Sequence, residues 1–232
     1  MLKIVRSLES LRDKAYSKKE RIIDDFPQID TEHDARITTF SKFINVTNSS
    51  QLGLTFAGQH LLSSNWWKKT ARKDIPDQEK SIYINEFENF TKLGFVQFIF
   101  SSTESGLRLI LKAINSQACN NGTAAFKSIY ECLLRSKLSQ YPKESVELLD
   151  LLRLNRNTIH NNGVYFHKSG NNESVTYDGT TYDFKIGKPV DFVTWDFIIE
   201  ISEDILDLLD KIVRDQNVAS INQTINDPFS HS

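Results

Sequence analysis

The sequence predicts an all-α fold, an antiparallel helical bundle with one small β-hairpin inserted near residues 173–188. Three observations carry this reading. Apolar residues recur at three- and four-residue spacing through most of the chain. The period changes to two only over "SVTYDGTTYDFKI" at 174–186. Prolines and Asn-Gly pairs fall between the periodic stretches rather than inside them. With 232 residues, 39% of them hydrophobic, the chain can bury a sizeable core, and no internal repeat or compositional seam divides it.

Taken in order, Leu2, Val5, Leu8, Leu11, Ala15, Ile22 and Ile23 predict a helix over 2–25 that stops before Pro27. A second helix fits 31–46. The stretch 47–78, with "NSSQLG" and "DIPDQ", has weak periodicity and reads as a loop around a short helix at 56–72. Residues 79–117 are helical and aromatic, with Phe87, Phe90, Phe95, Phe98 and Phe100, as one kinked helix or two joined near "SSTESG". "NNGT" at 120–123 breaks the pattern, a further helix covers about 123–138, Pro142 ends it, and the next runs over about 143–161.

The Asp178-Gly179 pair is a turn signal between Val175 and Tyr177 on one side and Tyr182, Phe184 and Ile186 on the other, a hairpin. Thr194 then caps a last helix whose Ile198, Ile201, Ile205, Leu208 and Ile212 face inward. Its outer Asp204, Asp207 and Asp210 are either solvated or turned to a basic partner. The reading is one helical domain over 1–215, its core at about 80–215 with residues 1–78 packed on it. A polar tail at 216–232 is expected to be frayed or disordered.

A net charge of -2 advertises neither nucleic acid nor an anionic membrane as a global partner, so any such contact must be local. The N-terminal stretch is charged every few residues, and the longest apolar run, "LGFVQFIF" at 93–100, is far too short to span a bilayer. A soluble, cytoplasmic protein without a membrane partner is expected. In a core of this size Cys119 and Cys132 read as inert apolar residues in a reducing compartment. His33, His60, His167 and His231 show no metal-ligand spacing, and no glycine-rich phosphate loop occurs. Neither a metal nor a cofactor is expected.

The stretch that raises a functional question is "LLRLNRNTIHNNG" at 151–163. On a helix Leu149, Arg153, Arg156, Asn157 and His160 share one stripe, with Leu148, Leu152 and Ile159 beside it toward the core. Two guanidiniums and an imidazole together can hold an anion and move a proton near neutral pH. Each residue also has an ordinary use, since cations in a last turn meet the negative end of the helix dipole and Asn162-Gly163 supplies a left-handed cap. That accounts for the residues singly and less well for their clustering.

A helical bundle carrying an arginine, often followed by asparagine, and then a histidine resembles the HEPN superfamily, whose usual pattern has four to six residues between arginine and histidine. Arg153 and His160 enclose six. Arg156-Asn157 looks more like the family's typical pair but stands three residues before His160, so either arginine could be the counterpart. The resemblance implies a metal-independent endoribonuclease of toxin-antitoxin, abortive-infection or antiviral defence systems, a homodimer with one cleft built from both copies. His160 would act as base or acid for attack of the RNA 2'-hydroxyl on the adjacent phosphate. Arg153 and Arg156 would hold that phosphate, and Asn157 would orient either group. RNA, a second copy and an antitoxin or other defence protein are the implied partners. The alternative is a non-catalytic HEPN-like module that binds RNA, a nucleotide or a protein; a third is a helical interaction protein whose stripe merely caps a helix.

Two further sets are candidates for substrate binding. Glu104 and Arg108, four apart, form either a surface ion pair or a support for the arginine stripe. "NWWKKTARK" at 65–73 could stack bases on Trp66 and Trp67 while Lys68, Lys69, Arg72 and Lys73 meet phosphates, or could simply anchor a loop by its tryptophans.

Overall fold

The computed structural model describes residues 1–70, 72, 74–122, 124–159, 161–167 and 169–230, with backbone alone for Asn121 and Gly122. It is mostly helical, with one two-stranded antiparallel sheet. Helix α1 (Leu2–Asp25) buries Leu8, Leu11, Ala15 and Ile22 at helical spacing against α2 (Ala35–His60) and α7 (Trp195–Arg214). Thr194 caps α7 by accepting the Phe197 amide, and Ile198, Ile201, Ile205, Leu208 and Ile212 are all buried. The acidic outer face of α7 finds its basic partner within the chain. Lys14 lies 3.3 Å from Glu203 and 3.1 Å from Asp207, and Lys18 lies 2.7 Å from Asp207.

Helix α2 corrects the expected break at residue 47, for it runs unbroken to His60. Asp34 caps its first turn, and the polar stretch stays helical because Thr47 turns its hydroxyl back to the Phe43 carbonyl at 2.7 Å while Thr47, Ser50, Leu54 and Ala57 face inward. A short α3 (Ser64–Thr70) follows. Then α4 (Asp77–Ile114) continues as a single helix of 38 residues through "SSTESG". Gly106 is there for contact rather than for a break, since a Cβ on it would stand 2.5 Å from the Thr39 hydroxyl.

After α4 comes a 3-10 turn (Ala118–Gly122), α5 (Phe126–Cys132) and a π turn (Leu133–Lys137). Cys119 and Cys132 are joined in a disulfide, their Cα atoms 6.6 Å apart, which corrects the reading of both as inert free residues. The size of the core argued against a need for such a link, but the link's work is local: it closes the aperiodic segment that leads into α5.

Helix α6 (Ser145–Ile159) precedes the hairpin of β1 (Glu173–Tyr177) and β2 (Thr180–Phe184), in which Val175 pairs with Tyr182. Asp178 and Gly179 both take positive φ, as a two-residue hairpin turn requires. Phe184 is fully buried and packs on Tyr165 and Phe192, and this fixes the hairpin to the bundle.

The expectation of a frayed tail also fails for 216–230. Helix α8 (Gln216–Ala219) leads into a segment that runs back over the start of α2, where the Ala35 amide donates to the Ile225 carbonyl at 2.8 Å. The fastening is made by buried charge. Arg36, 2% exposed, forks onto Asp34 at 3.0 and 2.7 Å and donates to the carbonyls of Val218 and Ile221. Asp227 accepts from the Thr38 hydroxyl at 2.5 Å and the Lys42 ammonium at 2.6 Å.

Asp215, at the joint between α7 and α8, accepts from the amides of Ser139, Gln140 and Asn217 and from the Ser139 hydroxyl. Burial pushes its carboxyl up, but these donors outweigh burial and hold it below the ordinary aspartate value. A carboxylate with a depressed folded-state pKa contributes stability that is complete above its unfolded pKa and is lost as pH falls through the folded value. Urea midpoints measured through the acid range should therefore fall less steeply in Asp215→Asn than in wild type. Equal slopes would show that this carboxylate is not linked to folding.

Candidate functional site

Helix α6 begins with Glu147 in its first turn, where an acid suits the positive end of the helix, and buries Leu148, Leu149, Leu151, Leu152 and Leu154. It ends as the sequence reading anticipates. Asn162 and Gly163 are left-handed, with φ of 52° and 83°, and the Gly163 amide returns to the Thr158 carbonyl at 2.9 Å. The backbone of 161–163 thus closes the helix, and neither arginine is used for the purpose.

The two arginines have different surroundings. Arg153 points toward the hairpin. Its Nε and Nη2 donate to one oxygen of Asp150 at 3.1 and 2.8 Å, and Nη2 also reaches Glu173 of β1 at 3.2 Å. The same Asp150 oxygen accepts from the Tyr130 hydroxyl of α5 at 2.7 Å, and the other Glu173 oxygen accepts from Tyr165 at 2.9 Å. Burial and then the neighbouring carboxylate push both phenols, Tyr130 and Tyr165, well above the ordinary tyrosine value. Burial works against the charge on Arg153, but Asp150 outweighs it and keeps the guanidinium protonated. Lys127 stands 3.5 Å from Asp150 and His167 stands 3.7 Å from Glu173. Arg153 therefore ties α5, α6 and β1 together, and its charge is met by two carboxylates.

Arg156, one turn later, turns toward α4 instead. Its guanidinium lies over the Phe100 ring, 5.0 Å from the centroid, and Phe100 is in turn held edge-on by Phe126. Among the described residues Arg156 has no ion pair and no hydrogen-bond partner for its side chain, and its Nε is buried unpaired. Asn157 is half-buried beside it, with its carbonyl accepting from the Asn161 side chain at 3.1 Å. His160 lies outside the described residues. The predicted stripe is thus divided into a locked Arg153 and an unpaired Arg156.

Of the substrate-binding candidates, Glu104 and Arg108 form the ion pair expected from their spacing, with Nε at 3.1 Å, and Arg108 also donates to the Ala124 carbonyl at 2.8 Å. Their visible work is to hold the segment before α5. Trp66, Trp67, Lys68 and Lys69 sit on α3, where Trp67 donates to the Leu61 carbonyl and packs on Tyr83 while Lys68 pairs with Asp74. Arg72 is exposed, and Lys73 lies outside the described residues. Tyr83 precedes Phe100 by seventeen residues, or ~26 Å of helix at 1.5 Å per residue, so within one chain this patch is remote from Arg156.

The sequence reading missed Asp150, Tyr130, Tyr165, Glu173 and His167. Asp150 was findable, since a carboxylate three residues before an arginine shares its helix face. The others come from separate elements and left no local signal. Among the described residues no group of three or more histidine, cysteine or acidic side chains gathers as metal ligands, and no helix is long and apolar enough to cross a membrane. No family model, curated protein or solved structure matches the chain.

Proposed function

We propose that the chain is a metal-independent endoribonuclease of HEPN type, a toxin or defence effector that cuts RNA with Arg156, Asn157 and His160. The observation that carries this reading is the unpaired Arg156, half-buried on an aromatic ring four residues before the histidine. A guanidinium held in place with unmet donors is preorganised for a phosphate and for the charge that grows on it during 2'-hydroxyl attack. Arg153 acts as a positioning residue, because Asp150 and Glu173 already neutralise it. His160 exchanges the proton, and a second histidine from a two-fold partner could complete the acid and base pair. The products are a 2',3'-cyclic phosphate and a 5'-hydroxyl.

The same unpaired guanidinium would also serve a non-catalytic module that binds RNA or a nucleotide. Incubating a labelled RNA pool containing transfer RNA with the protein in EDTA separates the two. Cleavage with cyclic-phosphate ends, abolished by His160→Ala in a folded protein, is the expected result. Binding without cleavage across varied RNAs would leave the module, and neither binding nor cleavage would remove both.

A further inference from the structure

Both supports that α5 lends to the arginines of α6 lie inside the loop that Cys119 and Cys132 close. Phe126 stands edge-on to Phe100, 5.2 Å between ring centroids, and Phe100 carries Arg156. Tyr130 donates to Asp150, which holds Arg153. The two supports are not equally secure. Tyr130 is fully buried near the end of α5, whereas Phe126 opens a helix of seven residues, too short to persist by its own hydrogen bonds, and no side chain caps it. Ahead of Phe126, Arg108 holds the Ala124 carbonyl at 2.8 Å, and the disulfide ties Cys119 to the far end of the helix. Cys119 and Asn120 both take left-handed backbone, with φ of 49° and 56°, a conformation costly for residues that carry a side chain. The turn is thus held in a shape from which it relaxes once the link opens. Both cysteines are half-buried, so a small thiol can reach the link.

We propose that this disulfide is a redox switch on Arg156. Closed, it seats Phe126 against Phe100 and so fixes the guanidinium. Opened by a dithiol, it releases the turn at 118–120, the first turn of α5 frays, and Arg156 loses its rigid bed while Arg153 keeps Tyr130. One thiolate of the dithiol attacks a sulfur of the link and its second thiol resolves the mixed disulfide. Two electrons and two protons pass to Cys119 and Cys132, and the dithiol leaves as a disulfide. The effect on cleavage rests on the function proposed above, since it regulates the residue that carries that reading; the loosening of α5 and of Arg156 does not.

Nuclear magnetic resonance on the full chain tests it, with RNA cleavage measured on the same samples. Air-oxidised protein is compared with protein in dithiothreitol, and with Cys119→Ser combined with Cys132→Ser in both conditions. The Ile129 amide, which donates to the Ala125 carbonyl across the first turn of α5, should exchange ~10-fold or more faster in dithiothreitol, with the amides of α7 unchanged. The buried Arg156 Nε–H signal, identified by its loss in Arg156→Lys, should broaden on reduction and return on reoxidation. Cleavage should fall ~10-fold or more with it, and the double variant should behave as reduced protein in both conditions. Free thiols in the air-oxidised protein, either signal indifferent to the dithiol, or undiminished cleavage would overturn the switch. Both signals responding in a protein that cuts no RNA in either state would uphold the switch and remove the proposed function instead.

Discussion

Arg36→Ala should lower the unfolding free energy by about 3–5 kcal/mol, the loss typical of removing one member of a buried ion pair. Arg36 is 2% exposed and Asp34 is fully buried, so the substitution leaves a carboxylate without its counter-charge where water cannot replace it. It also frees the carbonyls of Val218 and Ile221, through which Arg36 holds the returning tail. Urea titration gives the magnitude. Hydrogen exchange gives the place, with amides of 221–227 losing protection before those of α7. Lys3→Ala, which breaks an exposed pair with Asp196, serves as the comparison and should change stability by less than ~1 kcal/mol. A loss as small in Arg36→Ala would mean that the buried fork is not what secures the tail.

Arg153→Ala and Arg156→Ala should part company on stability and activity. Arg153 is 15% exposed between two carboxylates that it alone joins, so its removal should cost about 2–3 kcal/mol and loosen β1 from α6. Arg153→Lys should recover little of this, because an ammonium cannot reproduce the fork. Arg156→Ala forfeits only a ring contact, worth ~1 kcal/mol, yet should reduce RNA cleavage by ~10²–10³-fold if the guanidinium stabilises the phosphate in the transition state. Both are assayed per folded molecule at a temperature where each variant is native. If Arg153→Ala abolishes cleavage while Arg156→Ala retains it, the roles assigned to the two residues are reversed.

Elements that bury one apolar face were legible in the sequence, and those secured by polar groups were not. The helices α1, α6 and α7 and the hairpin repeat their apolar residues at the period of the element, with Asn162-Gly163, Asp178-Gly179 and Thr194 at its ends. The length of α2 was hidden because Thr47 and Ser50 read as loop residues, although the Thr47 hydroxyl is satisfied inside the helix. The placed tail was hidden because its anchors, the neighbouring Asp34 and Arg36 on tail backbone groups and Asp227 on Lys42, meet their partners across most of the chain's length and leave no periodic trace. At the candidate site the clustering of Arg153, Arg156 and Asn157 was visible. The division between the arginines was not, since it depends on Glu173 and Phe100, which the fold brings in from β1 and α4.

The bond between Cys119 and Cys132 has a topological consequence. Because it spans residues 120–131, including the stretch just before α5, a protease that cuts once between them does not divide the molecule. The two pieces remain one covalent object, and Phe126, Ile129 and Tyr130 keep the downstream piece seated in the core. Such a nick would pass unseen on a non-reducing gel, and only a reductant would reveal that the polypeptide was no longer continuous.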